Sequence, residues 1–381
     1  MKVPFLDLYE QYKKISKEID DSFHSVFHDT TFLGGSQVKK FEENYAHYLD
    51  VKHCIGVGNG TDAMIISLKA LGIGKGDEVI VPANTFIATS EAVTAVGAQP
   101  VFVDCDPDFY TIDVAKIKSA ITSKTKAIIP VHLYGHPVDM DEIIEIAVNN
   151  DLFIIENASQ AHGAIYKGKK VGSLGDIGTF GFNPGCNFGA YGNGGAIVTN
   201  NDQLAKLSRL YANHGRVSKY DHEIEGMNSC LDDIQAAMLN VKLNYLDLWN
   251  RTRKQIAHMY DRDLKSFEGI VTPEKKRDVR PVYNYYVVRI NHRKSVRKYL
   301  HKEGVETGIH YPIGLPFLSA YKKYNFKPED FPVTYNYQNK LLSLPVYPEL
   351  KKQSVNYIID KLYNFRDGEL VGLKKIKQAI K

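Results

Sequence analysis

Three kinds of residue in this chain are suited to chemistry: a small-residue turn, a glycine-rich loop that carries a cysteine, and a set of histidines. The turn GNGTDA (58–63) follows an apolar run and opens an amphipathic one. Small residues let backbone approach an anion, a helix N-terminus offers unpaired N–H groups, and the Thr61 hydroxyl adds a donor. The same stretch reads equally as a tight strand-to-helix turn capped by Thr61 or Asp62. The loop NPGCNFGAYGNGG (183–195) packs five glycines into thirteen residues. Such a loop between strands signals the close approach of a ligand or of another backbone. His132, His136, His162, His214 and His310 fall in loop-like segments, each a candidate general acid or base or a structural hydrogen-bonder.

The elements that must position these groups alternate. Short apolar runs at 52–58, 77–82, 99–106, 125–135, 152–157, 177–182 and 195–200 read as strands, and 61–73 and 85–97 read as helices between them. β-branched strands alternating with helices predict a mostly parallel sheet covered on both faces, with ligands at the strands' C-terminal ends. One long amphipathic helix is expected over 231–264. The strand VYNYYVVRI (282–290) and the helix SVRKYLHKEG (295–304) then suggest a small α+β domain. The division is expected inside the long helix, giving a large α/β domain at 1–250 and a small domain at 251–381.

The 381 residues, 44% hydrophobic and 24% charged, suffice for a sizeable core and exclude a disordered chain. No uncharged apolar run approaches a membrane span, and the first residues lack a secretory h-region. The net charge of +4 is concentrated at the end: between Arg366 and Lys381 five basic residues face two acidic ones, giving +3. A nearly neutral body remains, with no expected polyanion stripe and no nucleic-acid partner. The four cysteines fit neither a disulfide scaffold nor a close-spaced metal site, so reduced thiols in the cytoplasm and no bound metal are expected. No P-loop, HExxH, GxSxG or dinucleotide fingerprint is present.

The stretches GNGTDAM, GDEVIVPANTFIAT, PVFVDCDPDFYTID, PVHLYGHPVDMD, IENASQAHGA, PGCNFGAYGNGGAIVTN, NHGR, GMNSCLDDIQAAML, GIHYPIGLP and SLPVYPEL occur in this order. In them the chain resembles the DegT/DnrJ/EryC1/StrS family of sugar aminotransferases over about residues 3–365. The resemblance implies an α/β fold-type I aminotransferase architecture, with a large, mostly parallel mixed sheet flanked by helices and a smaller C-terminal α+β domain. It implies a homodimer with active sites at the subunit interface, a nucleotide-linked (dTDP-, UDP- or GDP-) keto sugar as substrate, and pyridoxal phosphate as cofactor in active members. Gly60 and Thr61 match the cofactor-phosphate turn and Phe86 the aromatic stacked on the pyridine ring. Gln160 matches a residue beside that ring, and Asn228 an asparagine reaching the phosphate from the neighbouring subunit. His310 and Tyr311 match the region near sugar and nucleotide.

The chain departs from the family pattern at four places. Cys186 stands where the family's lysine joins the cofactor, Gly181 where a serine contacts its phosphate, Asn157 where an aspartate faces the ring nitrogen, and Cys230 where an arginine is common. A thiol provides no amine for the covalent link, and a neutral amide holds a ring proton far less well than a carboxylate. Lys167, Lys169 and Lys170 precede the loop on another turn and do not substitute. These departures lead to the expectation of a pocket without cofactor. The protein is then expected to bind a nucleotide sugar of deoxy- or aminosugar biosynthesis without conventional transamination. It would be either a cofactor-independent keto-sugar isomerase or epimerase using His162, His214 or Tyr311, or a non-catalytic homologue. The alternative is a working pyridoxal-phosphate aminotransferase.

Overall fold

Short β-branched runs that are apolar at nearly every position have nowhere to go but a sheet buried on both faces. Here they form one seven-stranded sheet: β1 (His53–Val57), β2 (Glu78–Pro82), β3 (Gln99–Val103), β4 (Thr125–Ile128), β5 (Phe153–Asn157), β6 (Ile177–Gly181) and β7 (Gly195–Thr199). The order is β1-β7-β6-β5-β4-β2-β3, and only β7 runs against its neighbours. The computed structural model describes residues 1–379, with side chains described through Phe365. The positive tail from Arg366 therefore lies outside the described side chains.

Three helices before the second strand prepare the site: α1 (Leu8–Asp29), α2 (Ser36–Leu49) and α3 (Gly60–Ala70). On one side of the sheet Phe41 and Tyr45 of α2 meet Phe180, Phe182 and Phe188 in an aromatic cluster with no exposed ring. On the other side, Met64 and Leu68 of α3 pack with Val79, Val81 and Ile155. Each such fully buried side chain contributes roughly 1.5–3 kcal/mol. The sheet's C-terminal edge is thus held between two dry layers.

Two sequence expectations change. The run 125–135 is a strand only to Ile128, because Pro130 has no N–H for the ladder; its carbonyl instead accepts from Asn157 N. The long helix over 231–264 is two helices, α4 (Asp233–Leu243) and α5 (Leu246–Leu264), broken at Asn244–Tyr245. Beyond α5, a three-stranded antiparallel sheet, β8 (Ile270–Val271), β9 (Tyr286–Ile290) and β10 (Leu341–Leu344), packs with α6 (Arg293–Lys302) and α7 (Lys352–Ala379). Val3 bridges to Val305 and is buried in that second core, so the chain's first residues cross to the small domain. Among the described residues, no helix is long and apolar enough to cross a membrane.

Candidate active site

The C-terminal ends of the parallel strands open onto a cavity of about 660 Å³. Its floor is the N-terminus of α3. Asn59 caps that helix by accepting from Asp62 N at 2.8 Å, and its carbonyl accepts from Ala63 N. The N–H groups of Gly60 and Thr61, and the hydroxyls of Thr61 and Ser159, find no acceptor among the described residues. The floor is glycine by necessity: a Cβ on Gly60 would stand 2.9 Å from Gly181 Cα, and one on Gly195 would stand 2.4 Å from the Asn59 carbonyl. Ser159 Oγ lies 3.3 Å from where a Cβ on Gly181 would be. The hydroxyl missing at position 181 is therefore matched by one arriving from the next loop. The sequence reading passed over Ser159, although it lies two residues beyond Asn157 in the same motif.

The walls are largely aromatic and amide; Asp62 brings a carboxylate to the lining, and its Oδ2 accepts from Ser229 Oγ at 2.6 Å. Phe86, 53% exposed, presents its ring 5.7 Å from that of Tyr311. Asn157, at the end of β5, donates from Nδ2 to Thr89 Oγ1 at 3.1 Å and accepts at Oδ1 from Ser159 N at 3.2 Å. Gln160 accepts from Tyr134 N at 2.8 Å and donates from Nε2 to the Tyr311 hydroxyl at 2.9 Å. His310 stacks on Tyr285 at 3.7 Å and meets Ser343 Oγ through Nδ1 at 2.8 Å. Burial pushes its pKa down to about 4, so the imidazole is neutral at physiological pH. Burial raises the Tyr311 hydroxyl, which stays protonated.

Cys186 lines the same cavity. Burial pushes its thiol up to about 12, so it is neither a thiolate nor a strong nucleophile. Among the described residues lining the cavity there is no lysine. Lys170 is spent on the Tyr48 carbonyl and ring, and Lys167 on Asp141. The loop is held from behind by Lys242, a buried residue that sequence reasoning missed because it reads as one more helix charge. Its Nζ donates to the Gly189 carbonyl at 2.7 Å and lies 3.8 Å from the Tyr191 ring centre; burial lowers its pKa to about 7.

Of the residues expected to act, the structure gathers Gly60, Thr61, Phe86, Asn157, Gln160, Gly181, Cys186, His310 and Tyr311 around one space. Two of the proposed acid–base residues stand outside this protomer's cavity. His162 is wholly buried behind the loop among Tyr45, Phe180, Phe182 and Phe188. The Gly181 carbonyl, 3.1 Å away, can only accept, so Nε2 donates to it and Nδ1 accepts from the Tyr45 hydroxyl at 2.7 Å. A histidine with both nitrogens spent and its pKa pushed down to about 4 by burial is a structural one. His214 is exposed at φ 55°, and only its backbone is engaged, with Met227 and His222. Asn228 is likewise exposed, bridging to Asn213 outside this protomer's cavity. His132 and His136 are buried, the former against Glu156. Cys230 packs toward the Ala212 carbonyl, and no group of three or more metal-ligating residues occurs among the described residues.

Residues 13–363 match the DegT/DnrJ/EryC1/StrS aminotransferase family. The chain is 40% identical to a dTDP-3-amino-3,4,6-trideoxy-alpha-D-glucose transaminase of Streptomyces venezuelae over 359 residues, 94% of this chain and 95% of the relative. The solved structure of S. venezuelae DesV in complex with a ketimine intermediate superimposes with a TM-score of 0.94 at 40% identity, covering 96% of this chain and 98% of that one. NtdA of Bacillus subtilis, solved with its cofactor PMP bound, gives 0.88 at 34% identity over 95% and 85% of the two chains. These relatives overturn the expectation of a pocket without cofactor. That expectation weighed the departures at positions 157, 181, 186 and 230, while the phosphate turn, the aromatic wall and a floor hydroxyl are all in place.

Proposed function

The chain belongs to the DegT/DnrJ/EryC1/StrS aminotransferase family, and from that premise we propose that it transfers an amino group to a nucleotide-linked keto sugar. Pyridoxal phosphate is its cofactor, held in the cavity, in its amine form, without a covalent link to the chain. The carrying observation is the make-up of that cavity: free donors on Gly60, Thr61 and Ser159 on the floor, an open Phe86 ring, and a neutral thiol at position 186.

The donor set suits a phosphate. The N–H groups sit at a helix N-terminus, and the glycines leave room for an anion against bare backbone. Phe86 gives a face for an aromatic ring. The Asn157 amide can offer an N–H to an unprotonated ring nitrogen, where a carboxylate would hold a protonated one. When bound, the cofactor supplies the amino-group carrier and the electron sink. Cys186 cannot provide an amine, so proton transfer at the substrate falls to the sugar-side wall. There His310 is neutral and able to accept, while Tyr311, held by Gln160, is able to donate. Asn228, exposed on its own protomer, is assigned to the phosphate of a neighbouring protomer in a homodimer.

Purified protein loaded with PMP and given an amino donor and a dTDP-linked keto sugar, and separately protein loaded with pyridoxal phosphate and treated with borohydride, test this reading. The expected outcome is slow formation of an amino sugar and no borohydride-fixed adduct on the polypeptide. A lysine adduct in the intact mass would refute the non-covalent arrangement, and the absence of any amino sugar would refute the transfer.

A further inference from the structure

A second groove, of about 480 Å³, runs along α6 in the small domain. Arg293, Lys294, Arg297, Lys298 and His301 line it. Steps of one, three, one and three residues place them along a single stripe of the helix. The facing wall is the segment 306–309, which brings in Glu306, Thr307 and Ile309. Four permanent cations thus face one carboxylate, a local formal charge of +3, and that carboxylate is taken by His301 at 2.8 Å. None of the four cations has a carboxylate partner among the described residues. Counting charge along the chain hides this stripe, because outside the tail the signs nearly cancel.

Behind the groove's wall lie two buried polar atoms. Arg293 and Thr307 are each only 7% exposed, and Arg293 Nε and Thr307 Oγ1 have no hydrogen-bond partner. One edge of the Arg293 guanidinium is anchored on the carbonyls of Gln338 and Leu341, which fixes it beside Arg297. Desolvation and the nearby Arg297 charge both lower the Arg293 pKa, in that order of size. The two guanidinium charges disfavour one another, and an anion between them would offset that.

We infer that this groove is a binding site for a small anion carrying two linked phosphate groups. Guanidinium forks match phosphate oxygens in bidentate fashion, and the lysines at the rim add point charges. The volume is that of a small-molecule site, and the stripe from Arg293 to His301 is about 12 Å long. That length suits a diphosphate or a nucleoside diphosphate and is short for a nucleic-acid backbone, which draws its affinity from many successive phosphate contacts. The site is separate from the central cavity but joined to it by chain: Ile309 lines the groove, and the next two residues, His310 and Tyr311, line the cavity.

Calorimetric titration at low salt with inorganic diphosphate, and separately with dTDP, tests the inference on the full chain. Arg297→Glu with Lys298→Glu reverses two exposed charges, and an unchanged melting temperature certifies the fold. Wild type is expected to bind diphosphate saturably and the double variant at least about 10-fold more weakly. An equal loss for dTDP extends the site to nucleotides; a loss for diphosphate alone confines it to the inorganic anion. Diphosphate binding that survives the charge reversal belongs to the central cavity and overturns the proposal, as does no binding at millimolar diphosphate. A single-stranded oligonucleotide that binds more tightly than diphosphate, and is lost in the double variant, replaces the small ligand with nucleic acid.

Discussion

Glu156 and Asn157 are neighbours on β5 and face opposite sides of the sheet, since side chains alternate along a strand. On the rear side Glu156 is completely buried and remains ionised. It accepts from His132 Nε2 at 2.9 Å and from the backbone N–H groups of Gly172, Leu174 and Gly175 at 2.8, 2.6 and 2.7 Å. Burial pushes its carboxyl up, but His132 and these donors outweigh it and leave the pKa below the usual value. On the cavity side, the residue expected to be a carboxylate is an amide, and the expected lysine is a neutral thiol. The difference teaches that a buried charge is kept where backbone donors fold a loop around it, while positions 157 and 186 on the cavity side are neutral.

The largest effect should come from restoring the cavity side. Cys186→Lys combined with Asn157→Asp is expected to create a borohydride-fixable cofactor link and to raise amino transfer by about 10²–10⁴-fold, the range of a positioned acid–base group. Both readouts staying at the wild-type level would mean that the altered positions do not set the rate. On the rear side, Glu156→Gln removes the charge and replaces one of two acceptor oxygens by an NH2, so that two of the four donors face a donor, and should cost about 3–5 kcal/mol in urea unfolding at pH 7. A loss below about 1 kcal/mol would make the buried carboxylate dispensable.

Most of the fold could be read from the chain because buried parallel strands are apolar at almost every position, and ten ordered motifs fixed their succession. The cavity's own residues were legible for the same reason: each is tied to a motif at a strand's end. What failed was reading by residue type alone. His162 looks like a general base in sequence, yet its ring fills an aromatic cluster. Ser159 and Lys242 act through distances between segments far apart in the chain, for which spacing gives no signal, whereas the α6 stripe stands at helical spacing and was hidden by summing charge over the whole chain. The helix break at Asn244–Tyr245 was invisible because apolar residues continue at helical spacing across it.

His162 offers the next test, since it belongs to the rear of the loop and not to the chemistry. Its folded pKa of about 4 lies below the unfolded value of about 6.5, so the unfolded chain takes up the proton first. Stability therefore falls as pH drops through that window, by about 3 kcal/mol for this one group. His136 and His310, with pKa values also pushed down to about 4, contribute in the same direction. The difference between wild type and His162→Gln isolates the single residue. The variant should show a shallower loss of urea midpoint between pH 6.5 and 4.5, with amino transfer at pH 7.5 little changed. A parallel pH profile would mean that the ring is not buried in its neutral form.

The smallest expected effect asks whether the cavity side still carries the wiring for a carboxylate. Thr89 Oγ1 now accepts from the Asn157 amide, and a hydroxyl can turn and donate instead. Thr89→Val in the present chain removes one neutral hydrogen bond, at a cost of about 1 kcal/mol. In the Asn157→Asp background the same change removes a donor to an ionised group, and such bonds are about twice as strong. A double-mutant cycle on melting should therefore give a coupling of about 1 kcal/mol, with the Asn157→Asp chain losing more. Ser159 N, at 3.2 Å from Asn157 Oδ1, is unaffected by either change and serves both residues as a donor. Zero coupling would mean that water already satisfies the position, leaving Thr89 with no part in holding either side chain.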